Sequence, residues 1–434
     1  MKRRDFFKKS AATILSLGAV GTYPVPGYSK IKGANGKLNI AQVGVSGMQG
    51  DFHLTGSASE NRFALCDVDT ALLDPVCAAN PGAKRYVDWR DMLDQVGDQI
   101  DAIIVSTPDH SHAPVSCAAM RRGIHCYCEK PLAHTVSEIR AMQKLAKENS
   151  LVTQMGTQIH AGSNYRRVVE QIRAGVIGQI TEIHVWVSTV WGGNPASNDD
   201  VEIPETLNWD LWIGAAPMRK YQPCYFGGNW RSFWDFGNGA MGDMACHFMD
   251  LPFWALGLTY PKTIEPSHLA PADSDYAPTD LSVRYTFEQE GGYPLTLTWY
   301  DGNRRPAILP ALGLSEKNSG VLFIGTEGAL WANYGSNILL PKGKEPIETV
   351  DPIPESIGHH AEWIEAIKNG AAPDATTCNF EYSGRLAECV LLGPLSYRCG
   401  RRLEYDSEKM KSVNFPEASQ YLNAVYREGW GLDF

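Results

Sequence analysis

The hexapeptide Tyr127-Cys128-Glu129-Lys130-Pro131-Leu132 stands where a predicted β-strand, His125–Cys128, ends and a new turn begins. In open α/β sheets, ligands bind outside the carboxyl ends of the strands, so this turn is predicted to border a ligand groove. Lysine is a strong base whose pKa falls readily on burial, which suits proton exchange near neutrality. On composition alone, Lys130 would instead be a solvated loop residue, because most lysines are exposed. The rest of the chain decides between the two.

Strand and helix patterns alternate on both sides of this turn. The predicted strands, which are mostly apolar runs as buried parallel strands require, are 38–45, 63–66, 102–106, 125–128 and 151–155. The predicted helices are 89–96, 113–122 and 136–147. Units at this rhythm predict an α/β fold whose N-terminal part, residues 37–157, is a Rossmann dinucleotide-binding domain with a parallel sheet.

A glycine-rich turn, Gly-Val-Ser-Gly-Met-Gln-Gly at 44–50, follows the first strand. A dinucleotide fingerprint reads G-x-G-x-x-G, and here Ser46 and Gln49 replace its second and third glycines. The loop alone is equally compatible with an ordinary glycine turn. Its cofactor-binding candidates are Gly44, Ser46, Gly47 and Met48.

An acid follows the second strand at the position that a dinucleotide-binding domain needs. Asp67 lies 20 positions after Gly47, the separation at which a carboxylate binds the ribose hydroxyls of NAD. A carboxylate would repel a 2′-phosphate, and no arginine follows Asp67 at once. The sequence therefore favours NAD over NADP.

The turn after strand 102–106 reads Thr107-Pro108-Asp109-His110-Ser111-His112. Three potential metal ligands lie close together in it, but the His-x-His spacing has no third partner that the sequence can place. We therefore predict a cofactor-lining turn, with Thr107, Pro108 and His112 as candidates, and no metal site.

Beyond Gly156 the pattern changes to long strands with few helices between them. Residues 180–190 alternate with period two, as a half-buried strand does. Further strands are predicted at 281–287, 295–300, 321–324 and 329–332, and helices at 165–174, 360–368 and 386–397. Residues 158–434 are therefore predicted to form an α+β domain with a large open, mainly antiparallel sheet.

A second stretch with chemical potential runs from Gly239 to Asp250. Asp243, His247 and Asp250 fall at i, i+4 and i+7, which places them on one face of a predicted helix. The trio could be a helix-start carboxylate with a core histidine held by an acid. It could also be a carboxylate-oriented histidine for general acid–base catalysis. A metal could take the same trio, but nothing else in the sequence requires one.

Composition limits the function classes. The net charge of −10 and the 44% of apolar residues describe an acidic globular protein, which argues against binding to nucleic acid. The first 30 residues contain Arg3-Arg4 followed by Phe6-Phe7 and a short apolar segment. This segment is too short to span a bilayer. It predicts a signal for the twin-arginine translocation machinery, with a periplasmic or otherwise exported destination.

The ten cysteines are predicted to be buried free thiols rather than disulfides, although the protein is predicted to be exported. Several fall inside predicted strands or helices, where cysteine behaves as a small hydrophobic residue. Those residues are Cys66, Cys117, Cys126, Cys246 and Cys389.

Taken together, these motifs resemble the Gfo/Idh/MocA oxidoreductase family: Gly44 and Gly47, Cys66-Asp67, Thr107-Pro108, Glu129-Lys130-Pro131, and Gly239 with Asp243, His247 and Asp250. The resemblance implies a Rossmann domain followed by an open sheet, often assembled as a homodimer or homotetramer. It implies that Lys130 lies between nicotinamide and substrate, that Glu129 and Lys130 border the cofactor, and that His247 exchanges the hydroxyl proton beside Asp243. Substrates in the family are typically sugars and cyclitols.

The sequence thus predicts an NAD-dependent oxidoreductase that acts on a carbohydrate alcohol. Outside the cytoplasm no pool of free NAD is expected, so the cofactor would be tightly bound and recycled. A redox-neutral glycosidase or lyase, which oxidises the sugar only transiently, is the alternative, and a non-catalytic sugar-binding relative is the third hypothesis. The candidate substrate residues are Tyr165, Trp230, Arg231, Asp243 and His247.

Overall fold

The computed structural model describes residues 33, 35–268, 270, 274–289, 293–341, 343–348 and 352–432, with Met48 described by its backbone alone. These residues belong to one compact unit, Ile31–Phe434. The predicted twin-arginine signal, at residues 1–30, lies outside the described residues.

The first domain contains a sheet of six parallel strands in the order β3-β2-β1-β4-β5-β6. Its elements are β1 (Asn39–Val43), α1 (Gly47–Gly56), β2 (Asn61–Cys66), α2 (Thr70–Ala79), β3 (Lys84–Tyr86), α3 (Trp89–Val96), β4 (Ala102–Val105), α4 (His112–Arg121), β5 (His125–Cys128), α5 (Val136–Glu148) and β6 (Thr153–Met155). All residues of β1 and β4 are buried, as the apolar runs predicted. The strand order reverses between these two strands, where a ligand crevice opens at their carboxyl ends.

The second domain contains a sheet of nine strands in the order β13-β12-β11-β7-β10-β9-β8-β14-β15. Its elements are α6 (Ser163–Arg173), β7 (Ile180–Trp186), α7 (Trp209–Ile213), α8 (Gly239–Phe248), α9 (Asp250–Leu256), β8 (Thr263–Pro266), β9 (Ser282–Glu288), β10 (Pro294–Tyr300), β11 (Gly320–Gly325), β12 (Gly328–Ala332), β13 (Asn337–Leu340), α10 (His359–Lys368), α11 (Phe380–Cys399), β14 (Leu403–Asp406), β15 (Lys411–Ser412) and α12 (Ser419–Leu422). Among the described strands of this sheet, only β7 and β10 pair in parallel, which confirms the prediction of a mainly antiparallel sheet.

The strand predicted over 180–190 is shorter than expected. It ends at Trp186, which lies opposite Tyr300 of β10 and Gly320 of β11. Those are the last residue of β10 and the first of β11, so no partner strand remains for residues beyond 186. The alternating pattern of 187–190 therefore belongs to a loop, and this loop begins the long connection from β7 to α8.

An ion pair with a buried carboxylate joins the two domains. Arg140 of α5 donates through its two guanidinium nitrogens to the carboxylate of Glu388 in α11, over 2.5 and 2.8 Å. Glu388 is fully buried, so removing one partner would leave an uncompensated charge in the core. The pair therefore holds α11 of the second domain against α5 of the first.

Two further sequence predictions meet the structure here. All ten cysteines are free, and the five that were predicted to be buried are buried. Within the described part of the chain, no helix is long and apolar enough to cross a membrane.

Candidate active site

The glycine turn after β1 supplies three conformational requirements for a dinucleotide. Gly44 has φ +82°, and a Cβ there would lie 2.5 Å from the backbone oxygen of Ser106. Gly47 has φ +69° with open space around it. A Cβ on Gly50 would lie 2.4 Å from the carbonyl carbon of Val45, so α1 can lie this close to the turn that precedes it only because this residue is glycine.

The glycine pattern is therefore G-x-x-G-x-x-G at 44, 47 and 50, rather than a fingerprint that has lost two glycines. Sequence reasoning missed Gly50, although the glycine itself was visible. Only the distance to Val45 in the structure shows that Gly50 is required for packing and is not merely an ordinary glycine of a turn. The loop fits a dinucleotide phosphate, since backbone can approach the ligand at Gly47. The backbone of Met48 lies in α1, and its side chain is outside the described residues.

Gly50→Ala is expected to displace the start of α1 and to weaken NAD binding. Overpacking in a well-packed site costs on the order of 1–3 kcal/mol, and here the clash is with backbone that cannot rotate away. Urea unfolding and NADH titration measure the two effects. Gly82→Ala is the control, because a Cβ there meets nothing within 4 Å. Equal stability and NADH affinity in the two variants would contradict the packing role.

Asp67 lies beside the glycine turn, as the sequence predicts for a ribose-binding acid. Its carboxylate accepts from the Val45 N–H over 3.1 Å and lies 3.5 Å from the Ser46 hydroxyl. Burial raises the pKa of Asp67, while the Val45 hydrogen bond lowers it. Asp67 therefore also holds the turn in shape, a role that the sequence did not suggest.

The turn after β4 is locked to the neighbouring turns. Ser106 donates its hydroxyl to the Gly44 oxygen over 2.6 Å. The ring nitrogens of His112 lie 2.8 Å from the Pro131 oxygen and 2.9 Å from the Thr107 oxygen. His112 is buried, so the prediction that it contacts the cofactor directly is wrong. It joins two cofactor turns, while Thr107 and Pro108 remain partly exposed.

Glu129 is buried, and its carboxylate is held by neighbouring side chains. Its carboxylate accepts from the Gln158 amide over 2.6 Å and lies 3.1 Å from Nε2 of His53. Burial would raise the pKa of Glu129, but His53 and the charge of Lys130 lower it to about 2. Glu129 is thus a buried anion that positions the turn, and the prediction that it contacts the cofactor is corrected.

Lys130 forms the centre of the site. Its ammonium group lies 2.6 Å from Oδ1 of Asp243 and donates to the backbone oxygen of the same residue over 2.9 Å. Arg231 donates from Nε to Oδ1 over 3.0 Å, and Trp191 donates from Nε1 to Oδ2 over 2.7 Å. Burial would raise the pKa of Asp243, but the two cations hold it well below its usual range.

Asp243, His247 and Asp250, which were predicted to share one helix face, do not form a single group in the structure. The hydrogen bonds of the Asp243 carboxylate run to Lys130, Arg231 and Trp191, so the expectation that Asp243 orients His247 is wrong. Helix α8 ends at Phe248, and Asp250 begins a new helix.

Asp250 belongs to a separate buried network. Its carboxylate lies 2.9 Å from Nδ1 of His160 and accepts from the Tyr382 hydroxyl over 2.7 Å. Cys378 is close enough to complete a three-residue group that could hold a metal ion. The hydrogen bonds already satisfy the Asp250 carboxylate, so the network has a structural explanation without a metal.

His247 lies close to the charges of this site. Burial and the charge of Lys130 lower the pKa of His247 to about 4. Its imidazole is therefore neutral at pH 7 and can accept a proton. The sequence had suggested a histidine for general acid–base catalysis, and burial with the nearby Lys130 charge accounts for its lowered pKa. The Tyr165 hydroxyl donates to the His247 backbone oxygen over 3.3 Å.

Tyr165 was predicted to contact substrate, but it is fully buried and instead supports the backbone of His247. Trp230 and Arg231 do lie at the site, with the guanidinium carbon 4.3 Å from the ring centroid of Trp230. Trp191 and Tyr334 were missed. Tyr334 has its ring centroid 6.4 Å from that of His247, and no motif in the sequence marks either residue.

Asp109 is a second acid near Lys130 and Arg231. Burial raises its pKa to about 8, and the charge of Asp243 contributes in the same direction while the two cations oppose it. Asp109 is therefore mainly protonated at pH 7. Lys130 and Arg231 then carry two positive charges, and Asp243 and the neighbouring Glu129 carry two negative ones. The ammonium of Lys130 can stabilise a developing oxyanion within this balance.

The fold and these residues define a dinucleotide-binding protein in which a second domain completes a site at the carboxyl ends of the first sheet. The sequence profile described as "Oxidoreductase family, NAD-binding Rossmann fold" matches residues 38–157. The profile described as "Oxidoreductase family, C-terminal alpha/beta domain" matches residues 174–432. The chain therefore belongs to the Gfo/Idh/MocA oxidoreductase family and carries its NAD-binding domain.

Two curated relatives are similar over part of the chain. Levoglucosan dehydrogenase of Pseudarthrobacter phenanthrenivorans is 27% identical over 51% of this chain and 51% of its own length. A glycosyl hydrolase family 109 protein of Shewanella sp. is 28% identical over 41% of this chain and 44% of its own length. The chain thus spans about half the length of the curated relatives that it matches.

Solved structures share the fold. WlbA dehydrogenase from Bordetella pertussis, in complex with NADH and UDP-GlcNAcA, has a TM-score of 0.61 at 19% identity, over 85% of this chain and 99% of that one. Aldose-aldose oxidoreductase from Caulobacter crescentus, complexed with glycerol, has a TM-score of 0.58 at 16% identity, over 85% of this chain and 100% of that one. At these identities the likeness shows the fold alone.

Proposed function

We propose that this chain is an NAD-dependent oxidoreductase that acts on a secondary alcohol of a sugar, a cyclitol or a glycoside. The observation that carries the proposal is the Lys130–Asp243 pair at 2.6 Å, near a neutral His247 and after a strand of the dinucleotide-binding sheet. The similarity to levoglucosan dehydrogenase supports a carbohydrate substrate.

The residues that would hold NAD are Gly44, Ser46, Gly47, Asp67 and Thr107. When bound, NAD supplies the hydride acceptor. Asp67 favours NAD over NADP, because a second negative charge from a 2′-phosphate would be repelled there.

The chain's own residues move and stabilise charge at the substrate hydroxyl. His247 accepts the hydroxyl proton, since its imidazole is neutral at pH 7. Lys130, held by Asp243, presents a positive charge where negative charge develops on the substrate oxygen. Arg231 adds a second positive charge beside the same carboxylate. The aromatic faces of Trp191 and Trp230 suit the apolar face of a sugar ring.

A second candidate is a redox-neutral glycosidase or lyase that oxidises the sugar transiently, eliminates the glycosidic group, adds water and re-reduces the product. The similarity to glycosyl hydrolase family 109 proteins favours it. A ketone beside the departing proton would ease elimination without the two-carboxylate arrangement of ordinary glycosidases.

Product analysis separates these candidates. The purified protein is incubated with glycosides, with no cofactor added, and any NAD is measured after denaturation. A ketosugar formed with reduction of bound NAD supports the oxidoreductase, whereas a cleaved glycoside with no net reduction supports the glycosidase. Bound sugar with no product would leave only the third hypothesis, a non-catalytic relative. The formed Lys130–Asp243 pair argues against that outcome.

We also propose export by the twin-arginine route, with NAD retained and recycled after export. The support is the Arg3-Arg4 pair and the apolar segment that follows it. Changing both arginines to lysine should hold the protein in the cytoplasm, because the translocation machinery reads the pair as an address. Cell fractionation measures this, and unchanged periplasmic recovery would refute the export proposal.

Assembly as a homodimer or homotetramer through the second sheet is proposed from the family resemblance. The chain itself covers part of the outer face of this sheet, where Leu309 packs with Trp186 and Leu322. An interface between copies would therefore use the remainder of the face, toward β9 and β10. The mass in solution tests this proposal.

A further inference from the structure

The long connection from β7 to α8 reaches back to the first domain. We call its residues 201–210 the arm. Two backbone hydrogen bonds and one antiparallel bridge join the arm to the turn after β2: Thr70 N–H to the Thr206 oxygen at 2.9 Å, Asn208 N–H to the Val68 oxygen at 2.9 Å, and Asp69 opposite Leu207. The arm therefore pairs with the residues that directly follow Asp67, the predicted ribose acid.

Buried apolar side chains hold the C-terminal end of the arm in place. Leu207 and Trp209 are 6% and 7% exposed. Val68 of the first domain packs against the cluster that contains them. The rings of Trp209 and Trp212 stack with their centroids 4.9 Å apart. The arm is thus fixed by packing as well as by backbone pairing.

A cavity of about 540 Å³ lies between the arm and the first domain. Its apolar lining comes from Val68 and Val87 on one side and from Ile203, Leu207 and Met218 on the other. Ile203 and Met218 are 43% and 53% exposed although both are large and apolar. Exposed apolar side chains gathered around a cavity are typical of a ligand-binding surface.

The position and charge of the cavity indicate its occupant. It lies at the carboxyl ends of β2 and β3, on the side of Asp67 where a dinucleotide places its adenosine. Apolar side chains suit the flat faces of a purine. Glu205 also lines the cavity, and its carboxylate disfavours a phosphate, whereas the Asp210 carboxylate is paired with Arg427. A neutral base with its ribose fits both features.

We propose that the arm is the outer wall of the adenosine subsite, and that NAD leaves only after the arm has separated from the turn at 68–70. The proposal rests on the proposed function, because it takes NAD as the ligand. It adds a binding element that the second domain supplies, outside the glycine turn. It also gives a physical means of retaining the cofactor between turnovers.

The test removes the apolar lining from the arm side without disturbing a buried core. Ile203→Ser combined with Met218→Ser should release NADH about tenfold faster and bind ADP-ribose about tenfold more weakly, since two apolar contacts with the base are lost. Stopped-flow fluorescence measures release, and calorimetry measures ADP-ribose binding. The matched control is Ile357→Ser combined with Val425→Ser, two residues that are 67% and 81% exposed. The control should behave as the wild type does.

A second pair of variants tests the attachment of the arm itself. Leu207→Ala removes a buried side chain at the bridge, and Ile213→Ala removes one from the same cluster but outside the cavity lining. Both should lower the melting temperature, but only Leu207→Ala should speed NADH release.

Equal release rates in all variants and the wild type would overturn the role of the arm. Faster NADH release with unchanged ADP-ribose affinity would also overturn it, because the effect would then lie outside the adenosine half. A wild-type protein that binds neither NADH nor ADP-ribose would refute the proposed function itself, which separates the two failures.

Discussion

Lys130→Met and His247→Gln should each lower kcat/KM by about 10²-fold or more while the protein stays folded and retains NAD. Methionine keeps most of the aliphatic stem of Lys130 and loses only the ammonium, so packing should change little. Glutamine keeps the polarity of His247 but has no basic nitrogen to accept the hydroxyl proton. Steady-state kinetics measures activity, and NAD released on denaturation measures retention.

The double variant sharpens this prediction. If both residues act on one transition state, the combined loss should be far smaller than the product of the single losses. Lys144→Met serves as the control for the lysine, since the side chain of Lys144 is 72% exposed. A Lys130→Met enzyme that is folded and fully active would refute the mechanism. Activity that fell only in proportion to folded protein would indicate a structural role.

The pKa of His247, about 4, gives the mechanism a distinct pH profile. Activity that depends on a neutral imidazole should remain high down to about pH 5 and should fall as the pH approaches 4. Lys130→Met should raise the pKa of His247, because it removes a positive charge that opposes protonation. The acid limb of the residual activity should then move to higher pH.

The sequence predicted most of the first domain because its signals are local. Apolar runs of the right length mark β1, β4 and β5, and the turns that follow them carry the cofactor candidates. The short strand β3, with the sequence Lys-Arg-Tyr, was missed because two of its three residues are exposed. Only its pairing with β2 makes it a strand.

The sequence identified the main residues of the site but not which of them contact one another. Helical spacing placed Asp243 and His247 on one face. It could not predict the contact between Asp243 and Lys130, because the two residues are 113 positions apart in the chain. A buried carboxylate binds an ammonium more strongly than a neutral imidazole, so Asp243 contacts Lys130 rather than His247. Trp191 and the arm escaped prediction for the same reason, since their partners are brought together only by the packing of the second domain on the first.

The Lys130–Asp243 pair should also carry a large share of local stability, and Asp243→Asn tests this. The side chains of Lys130 and Asp243 are 5% and 12% exposed, so the substitution leaves the cations Lys130 and Arg231 without their carboxylate. Breaking a buried pair in this way costs about 3 kcal/mol. Urea unfolding at pH 7 should show this loss. Asp200→Asn, which disrupts an exposed pair with Lys220, should change little.

The pH dependence of that loss follows from the depressed pKa of Asp243. A carboxylate whose folded pKa lies below its unfolded value, about 4, stabilises the fold above that value and loses this contribution as the pH falls through the folded pKa. The contribution of the Asp243 charge to the difference between wild type and Asp243→Asn should therefore shrink below pH 4.

In the variant, the pKa of Asp109 should fall from about 8, because the Asp243 charge that helped to raise it is gone. Asp109 can then supply the missing negative charge, so Asp109→Asn combined with Asp243→Asn should be less stable than either single variant. A double variant no less stable than Asp243→Asn alone would show that Asp109 does not share this charge balance.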